Sequence, residues 1–267
     1  MEYLARKRVG LALGGGAVRG MAHVGVISAL IGAGIPIDYV AGTSAGSIIG
    51  ALFCSGLGLD RLQKLSQETN WWKISRLVLS PRGFLNFDKL SKWLIKQVGD
   101  LEFDDLLIPF ATVATDILTG KEVDLLEGRV APAVQASCSI PGLVTPVEMN
   151  GQLLADGSLV NTVPVNLLRR MGADYVIGVD ILTHKVRWRL GPLGYGIAAI
   201  EILAERAGGG MDLADCLISP DMAGKTYVRF SKRGELFELG MGAASRQTEK
   251  ILSDLARLEL HEDIIPQ

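Results

Sequence analysis

Apolar residues along the chain fall into two alternating patterns. Residues 9–13 form a short apolar run, and residues 175–182 are almost entirely apolar. Runs of this length are typical of parallel strands that are covered on both faces of a sheet. After the first run, residues 21–31 place apolar side chains at helical spacing, and Gly32 and Gly34 end that helix. The repeated order of strand and then helix predicts one α/β domain with a mainly parallel central sheet.

Further elements follow the same two patterns. Helices are predicted at residues 45–54, 88–98, 130–137 and about 243–260, and strands at residues 37–41, 109–115, 122–126, 216–219 and 227–230. The turns Thr119-Gly120 and Asn150-Gly151 predict two hairpins. Residues 56–108 have a looser pattern, so they are predicted to be a cap-like insertion within a single domain that spans residues 1–267.

Composition narrows the class of protein. A chain of 267 residues that is 48% hydrophobic can bury one large core. Its formal net charge of −2 lacks the basic footprint of a nucleic-acid-binding protein. Cys54, Cys138 and Cys216 show no metal-site spacing, so we expect reduced core residues in a cytoplasmic protein that needs no metal or other cofactor. No apolar run has the length of a membrane span, so any membrane contact is expected to be peripheral.

A candidate nucleophile stands between a predicted strand and a predicted helix. The residues there are Gly42, Thr43, Ser44, Ala45 and Gly46. They fit the G-x-S-x-G pattern, in which a tight turn exposes a serine hydroxyl and the glycines remove Cβ atoms that would collide with neighbouring strands. Because the chain contains 32 glycines, the pentapeptide by itself is equally consistent with an ordinary turn. Its neighbours in the sequence decide between the two interpretations.

A glycine-rich loop joins the first strand to the first helix. Its residues are Gly14, Gly15, Gly16, Ala17, Val18, Arg19 and Gly20. Backbone N–H groups at a helix start can hold a phosphate or the oxyanion of an acyl-transfer intermediate. The dinucleotide fingerprint fails because Arg19 stands where its last glycine should be, and the P-loop fails because no Gly-Lys-Ser/Thr follows. An oxyanion hole beside Ser44 is the interpretation that suits the loop best.

Histidine is the usual base for a serine nucleophile, and the chain has three of them. His184 comes just after the strand at residues 175–182 and alone fits the Ser, Asp, His order of an α/β-hydrolase. His23 lies one turn into the first helix, and His261 lies in a charged tail. Structural or surface roles explain His23 and His184 better than catalysis does.

An aspartate is the stronger candidate for the base. Asp156 is followed by Gly157 and Ser158 where a predicted strand ends, and the glycine permits a sharp turn that fixes the direction of the carboxylate. A lone aspartate in a turn is more often a backbone cap than a catalyst. The combination of the glycine loop, the serine turn and this Asp-Gly turn favours a catalytic role for Asp156.

These motifs, in this order, resemble the patatin-like phospholipases, especially their compact bacterial members and the catalytic domain of neuropathy target esterase. The blocks that carry the resemblance are residues 11–30 (LALGGGAVRGMAHVGVISAL), 40–46, 136–146 (ASCSIPGLVTP), 156–165 (DGSLVNTVPV) and 172–180 (GADYVIGVD). The resemblance implies a three-layer α/β/α fold. The family commonly has glycine where Ala17 stands, and glycine or alanine where Ser158 stands, and both replacements are small.

The resemblance also implies an activity and a role for each motif. Ser44 would be the nucleophile, Asp156 its base in a Ser-Asp dyad, and residues 14–20 the oxyanion loop, with amides of Gly15, Gly16 and Ala17 as donors and Arg19 as the family arginine. The substrate would be a (lyso)phospholipid or another long-chain acyl ester. Two alternatives stay open: a non-catalytic lipid-binding or regulatory module on the same fold, and a Ser-His-Asp hydrolase that uses His184.

The insertion offers a hypothesis for contact with lipid. Between Trp71 and Lys96, cations are interleaved with tryptophans, and Asp88 is the main acid. This composition is typical of contact with an anionic lipid surface. A cap helix with a solvated basic face explains the same residues equally well. Residues 71–97 are therefore predicted to be either a lid or a peripheral membrane contact, and the sequence makes no prediction of head group, chain length or oligomeric state.

Overall fold

The computed structural model describes residues 6–182, 191–208, 210–222 and 233–262. The predicted strand at residues 227–230 and the candidate base His184 lie outside these ranges. The strands are β1 (Val9–Leu13), β2 (Tyr39–Gly42), β3 (Arg76–Ser80), β4 (Gly83–Asn86), β5 (Phe110–Asp116), β6 (Lys121–Leu125), β7 (Val147–Met149), β8 (Gln152–Asp156), β9 (Tyr175–Val179) and β10 (Cys216–Ile218). The helices are α1 (Met21–Gly32), α2 (Ala45–Cys54), α3 (Leu59–Glu68), α4 (Trp71–Ile74), α5 (Asp88–Val98), α6 (Val130–Ser137), α7 (Val165–Met171), α8 (Gly191–Arg206), α9 (Arg233–Ser245) and α10 (Thr248–Glu262).

The central sheet is mainly parallel. Strands β10, β9, β1, β2 and β5 are parallel neighbours in that order, and β8, β7 and β6 extend the sheet with antiparallel pairs. β1 lies between β2 and β9, with Leu11 opposite both Val40 and Ile177. All five residues of β1 and all five of β9 are buried, as the two apolar runs predict. The predicted α/β class with a mainly parallel sheet is confirmed.

Helices cover both faces of this sheet. On one face α7 packs against β1, β2 and β9, where the sheet presents the small side chains of Ala12, Ala41 and Ala111. On the other face α2 packs against β1, β2 and β5, and the neighbouring residues Leu11 and Leu13 belong to the larger core. The alternation of leucine and alanine along β1 therefore assigns its two faces to two cores, which gives three layers.

Strand β5 determines how β2 and β8 meet. Gly42 of β2 pairs with Thr112, and Asp156 of β8 pairs with Ala114, two residues farther along β5. β6 pairs with β5 from Thr112 to Asp116 and so occupies its other edge. Since a strand has only two edges, β2 and β8 share one edge of β5 and approach each other end to end. The residues that follow β2 and end β8 are thereby brought to one place.

Helices α1 and α9 pack together through two glycines. A Cβ added to Gly25 of α1 would lie 2.1 Å from the carbonyl oxygen of Phe237, and one added to Gly240 of α9 would lie 2.0 Å from that of Ala22. Only glycine permits backbones to approach this closely. The contact holds α9 against the helix that follows the glycine-rich loop.

The insertion contains more regular structure than its sequence pattern indicates. Residues 56–108 include α3, α4, the antiparallel hairpin of β3 and β4, and α5. α3 packs on α1 and α2, and α5 packs on α6. The helix predicted at residues 88–98 is confirmed, whereas α3 and the β3–β4 hairpin were not predicted.

Several predicted bounds were wrong. The strand predicted at residues 37–41 is Tyr39–Gly42, and the strand predicted at 175–182 ends at Val179. The single helix predicted at about 243–260 is two helices, α9 and α10, with a turn at residues 246–247. Neither turn residue is glycine or proline, so the sequence carries no local signal for this break.

Candidate active site

Ser44 lies on a strained turn between β2 and α2. Its backbone angles are φ 52° and ψ −117°, and a positive φ is costly for a residue with a Cβ. The turn needs both of its glycines. A Cβ on Gly42 would lie 2.5 Å from the oxygen of Gly46, and a Cβ on Gly46 would lie 2.0 Å from that of Leu13. This is the strand-to-helix geometry that a nucleophile elbow requires.

Hydrogen bonds to Ser47 nearby and to residues distant in sequence fix the backbone around Ser44. The Ser44 amide donates to Ser137 Oγ at 2.9 Å, and the carbonyl of Ser44 accepts from Ser47 Oγ at 2.6 Å. Cys138 Sγ lies 3.3 Å from the same carbonyl, and burial raises the pKa of its thiol, which keeps it neutral. Thr43 Oγ1 donates to the carbonyl of Asn161 at 2.9 Å.

The Asp156 carboxylate is held beside the Ser44 hydroxyl. Ser44 Oγ donates to Asp156 Oδ2 at 2.7 Å, and the Ser158 amide donates to Oδ1 at 2.9 Å. The Asp156 backbone is anchored as well, because its amide donates to the Ser139 carbonyl and its carbonyl accepts from Thr115 Oγ1. A Cβ on the next residue, Gly157, would lie 2.2 Å from the oxygen of Val113, so the turn after β8 requires glycine.

Burial changes the basicity of this carboxylate. Loss of hydration in the buried site raises the pKa of Asp156 above its ordinary value, and the hydrogen bonds from Ser158 and Ser44 oppose that rise. A carboxylate with a raised pKa is a stronger base than an exposed aspartate. A carboxylate in this position, with its pKa raised, has the geometry and the basicity to accept a proton from the Ser44 hydroxyl.

The glycine-rich loop passes directly beside Ser44 and Ser158. A Cβ on Gly15 would lie 2.3 Å from Ser158 Oγ and 3.6 Å from Ser44 Cβ. The amide of Gly14 donates to the Val179 carbonyl, and that of Gly15 donates to the Thr162 carbonyl. Both amides are therefore used within the fold, so the expected role of the Gly15 amide as an oxyanion donor is not supported. The amides of Gly16 and Ala17 are the other two predicted donors. Ala17 has φ 49°, so this part of the loop is also strained.

Two buried side chains hold the loop in place. Arg19 is 1% exposed and its Nη1 donates to the carbonyl of Ile181 at 3.2 Å, which ties the loop to the segment after β9. His23 Nε2 lies 2.8 Å from the carbonyl oxygen of Gly14, and burial lowers the pKa of His23 to about 4. The neutral imidazole of His23 therefore supports the loop through Gly14. It is not the partner of the Ser44 hydroxyl, which donates to Asp156.

A cavity of about 100 Å³ leads away from Ser44, and its walls are mostly apolar. Helix α2 contributes Ile48, Ile49 and Leu52. The insertion contributes Ile74, Phe87 and Trp93, and the segment after α6 contributes Cys138, Ile140 and Leu143. A narrow apolar space that begins at a serine hydroxyl fits an acyl chain. A second apolar cavity of about 80 Å³ reaches Ser44 and Asp156 from the side of α8.

The structure brings together the main candidate residues of the sequence analysis and adds supporting residues that the sequence did not indicate. Ser44, Asp156 and the glycine-rich loop come together, whereas His261 lies on α10 and the structure does not describe its side chain. Ser137 and Ser139 were not singled out, although both stand in the ASCSIPGLVTP block. Within the described residues, no group of three or more His, Cys, Asp or Glu side chains could hold a metal ion. No described helix is long and apolar enough to cross a membrane.

Comparison with known proteins identifies relatives of this chain. It is 37% identical over 177 residues to an uncharacterized NTE family protein of Mycobacterium tuberculosis, an alignment that covers 65% of this chain and 49% of that protein. It is 32% identical over 188 residues to the neuropathy target esterase sws of Drosophila melanogaster, and 33% identical over 186 residues to the lysophospholipase NTE1 of Yarrowia lipolytica. Each of these two alignments covers 67% of this chain and 13% of the relative. The chain thus spans about half the length of the mycobacterial relative and much less of the others.

Solved structures share the fold at low sequence identity. VipD of Legionella pneumophila aligns with a TM-score of 0.60 and 15% identity over 93% of this chain and 67% of VipD. ExoU of Pseudomonas aeruginosa, in its complex with SpcU, aligns with a TM-score of 0.52 and 16% identity over 92% of this chain and 52% of that chain. A sequence model of the patatin-like phospholipase family matches residues 11–169, a range that holds the glycine-rich loop, Ser44 and Asp156. By that match, this chain belongs to the patatin-like phospholipase family.

Proposed function

We propose that this chain is a serine lipid acyl hydrolase that uses Ser44 as nucleophile and Asp156 as its base. The observation that carries the proposal is the 2.7 Å hydrogen bond from Ser44 Oγ to Asp156 Oδ2 at the end of an apolar cavity. Hydrolysis by a serine esterase needs a nucleophile, a base and oxyanion donors. Here these would be the serine on its strained elbow, the buried carboxylate with a raised pKa and the loop amides of Gly16 and Ala17.

The reaction proceeds through an acyl-enzyme. Asp156 accepts the proton of the Ser44 hydroxyl while Oγ attacks the ester carbonyl carbon, and the amides of Gly16 and Ala17 stabilise the oxyanion that forms. The tetrahedral intermediate expels the alcohol, which takes the proton from Asp156. Water then attacks the acyl-enzyme and gives its proton to Asp156. Collapse of the second intermediate releases the fatty acid, and Ser44 regains its proton.

The cavity and the relatives support the choice of substrate. Apolar residues line the cavity beside Ser44, so the acyl chain of the ester would lie there. A relative from Yarrowia lipolytica is named a lysophospholipase. We therefore propose a lysophospholipid or another long-chain acyl ester as the substrate, held with its carbonyl carbon at Ser44 Oγ.

The proposal includes where the enzyme works. Three free, buried cysteines, Cys54, Cys138 and Cys216, support a cytoplasmic location. A peripheral membrane contact through residues 71–97 would give the site access to its substrate.

Release of fatty acid from a lysophosphatidylcholine tests the proposal. Purified protein should release fatty acid, and Ser44→Ala should abolish the release, because this change removes the nucleophile alone. Ser55→Ala is the matched control, since Ser55 directly follows α2 and its hydroxyl donates to the Leu52 carbonyl. The control should retain wild-type activity. A folded wild-type protein without esterase activity would support a non-catalytic lipid-binding module instead.

A further inference from the structure

The hairpin of β3 and β4 presents large apolar side chains to water. Leu79 is fully exposed, Leu77 is 70% exposed, and Phe84 on the second strand is more than half exposed. Trp72 of α4, four residues before the hairpin strand reaches Arg76, is exposed as well. Single exposed apolar residues are common on protein surfaces, whereas a cluster of them on one hairpin marks an interaction surface.

The hairpin is attached to the wall of the apolar cavity beside Ser44, called the acyl cavity below because the acyl chain of the proposed substrate would lie there. The amides of Phe84 and Leu85 both donate to the carbonyl of Leu143, at 3.0 and 2.9 Å, and Thr145 donates back to Leu85 at 2.8 Å. Leu143 lines the cavity that begins at Ser44. Whatever covers the hairpin therefore lies next to that cavity.

A cationic groove adjoins the same region. The groove has a volume of about 620 Å³ and is lined by Arg61, Lys73, Lys89, Lys92 and Lys96, with Glu68 as the acid among its lining residues. Lys89 Nζ donates to the carbonyl of Trp72, which connects the groove to the exposed apolar residues. Thr69 and Trp93 line both the groove and the acyl cavity. Apolar side chains, cations and the cavity are therefore contiguous.

We infer that the hairpin, Trp72 and the cationic groove form one surface that docks on an anionic lipid bilayer. The apolar side chains of Leu77, Leu79 and Phe84 enter the acyl boundary, while the lysines contact lipid phosphates. Charge complementarity selects this occupant, because exposed apolar side chains beside clustered cations fit a layer of apolar chains under anionic head groups. The inference rests on the proposed function in one respect: docking would place the acyl cavity where its substrate resides.

Binding to lipid vesicles tests the surface without requiring hydrolysis. All variants carry Ser44→Ala, so the measured quantity is the partition coefficient from co-sedimentation with vesicles of phosphatidylcholine, with or without 30% phosphatidylglycerol. Leu79→Asp should lower binding to anionic vesicles by at least about tenfold, because it places a charge where an apolar side chain enters the bilayer. Its control is Leu107→Asp, since Leu107 is 76% exposed and precedes β5 at the opposite end of the sheet from Ser44. The control should bind like its parent.

A separate variant tests how much the cations of the groove contribute to binding. Lys96→Gln should reduce binding to anionic vesicles about fivefold and leave binding to neutral vesicles unchanged, since one cation near an anionic surface contributes that factor. Equal losses for Leu79→Asp and Leu107→Asp, or no binding by the parent, would overturn the inference. A concentration-dependent dimer that Leu79→Asp dissociates would overturn it too and assign the hairpin to a second copy of the chain. Failure of the proposed function shows separately, as absence of hydrolysis by the chain that retains Ser44.

Discussion

Hydrogen bonds to its backbone position Ser44, and none of them uses its hydroxyl. Its amide is bound to Ser137, its carbonyl to Ser47, and its φ is positive, so the turn cannot relax without breaking these contacts. The hydroxyl has Asp156 as its partner. A residue held in this way can lose its hydroxyl at little cost to the fold, which makes substitutions of the reacting groups informative.

Asp156→Asn should reduce turnover by about 10²–10⁴-fold, because an amide cannot accept the Ser44 proton. His184→Ala should change turnover only modestly, since the Ser44 hydroxyl donates to Asp156, which is the base in the proposed mechanism. Steady-state hydrolysis of a p-nitrophenyl ester by both variants gives the comparison. A larger loss of turnover in His184→Ala than in Asp156→Asn would support a Ser-His-Asp mechanism instead.

The raised pKa of Asp156 predicts a dependence on pH with a definite sign. Its pKa is higher in the folded than in the unfolded chain, so protonated Asp156 favours folding. That contribution is complete below the unfolded pKa and is lost as pH rises through the folded pKa. Asp156→Asn, neutral at every pH, should therefore be at least as stable as wild type at pH 7 in urea unfolding. A lower unfolding free energy for the variant would show that the charged carboxylate stabilises the fold.

Residues that carry a sequence signature could be predicted, and those that act through backbone contacts could not. Ser44 and Asp156 stand beside glycines that the turns require, so their motifs are visible in sequence. His23 was considered as a base and lies instead on the Gly14 carbonyl. Nothing in a single histidine on a helix indicates which carbonyl it will meet.

Among the elements of the site, the glycine-rich loop has no room for an added side chain at Gly16. A Cβ on Gly16 would lie 2.5 Å from Ile181 Cδ1, so Gly16→Val must move either Ile181 or the loop. Because one oxyanion donor contributes ~10²–10³ in turnover, this variant should lower kcat strongly and KM little. Ala17→Gly should be nearly neutral in kcat, since it keeps the backbone N–H and suits the positive φ at this position. An effect of Gly16→Val on KM alone would indicate that the loop binds a ground-state group.

Helix α2 offers a test of the acyl cavity. Ile48 lines the cavity on the helix that follows Ser44, and Ile48→Phe would fill part of its volume of about 100 Å³. We expect kcat/KM for a long-chain p-nitrophenyl ester to fall while that for the butyrate ester stays near wild type. Equal losses for both esters would place the acyl chain elsewhere, in the cavity beside α8 for instance.

Elements with strong local signals were predicted closely, and those defined by tertiary contact were not. Helices α2, α5 and α6 have the predicted bounds, because apolar spacing marks them. The break between α9 and α10 lacks a glycine or proline, and α9 is held on α1 by the close contact at Gly25 and Gly240. Strand β3 exposes both of its leucines, Leu77 and Leu79, so it lacks the buried alternation that identifies a strand.

At the scale of the whole molecule, the sheet assembles the site from distant segments. Ser44 and Asp156 are 112 positions apart, and they meet because β2 and β8 share one edge of β5. The order of the motifs in the sequence indicates that they belong to one site, but it does not indicate that β2 and β8 meet on one edge of β5. The acyl cavity was beyond prediction for the same reason, because α2, the insertion and the segment after α6 contribute its walls jointly.

Covalent labelling by a fluorophosphonate probe reports directly whether Asp156 activates Ser44, because the probe reacts with an activated serine. We expect peptide mass mapping to find the probe on Ser44 alone. The rate of labelling should fall by orders of magnitude in Asp156→Asn and remain at the wild-type value in Ser55→Ala. Labelling at another serine, or an unchanged rate in folded Asp156→Asn, would contradict activation of Ser44 by Asp156.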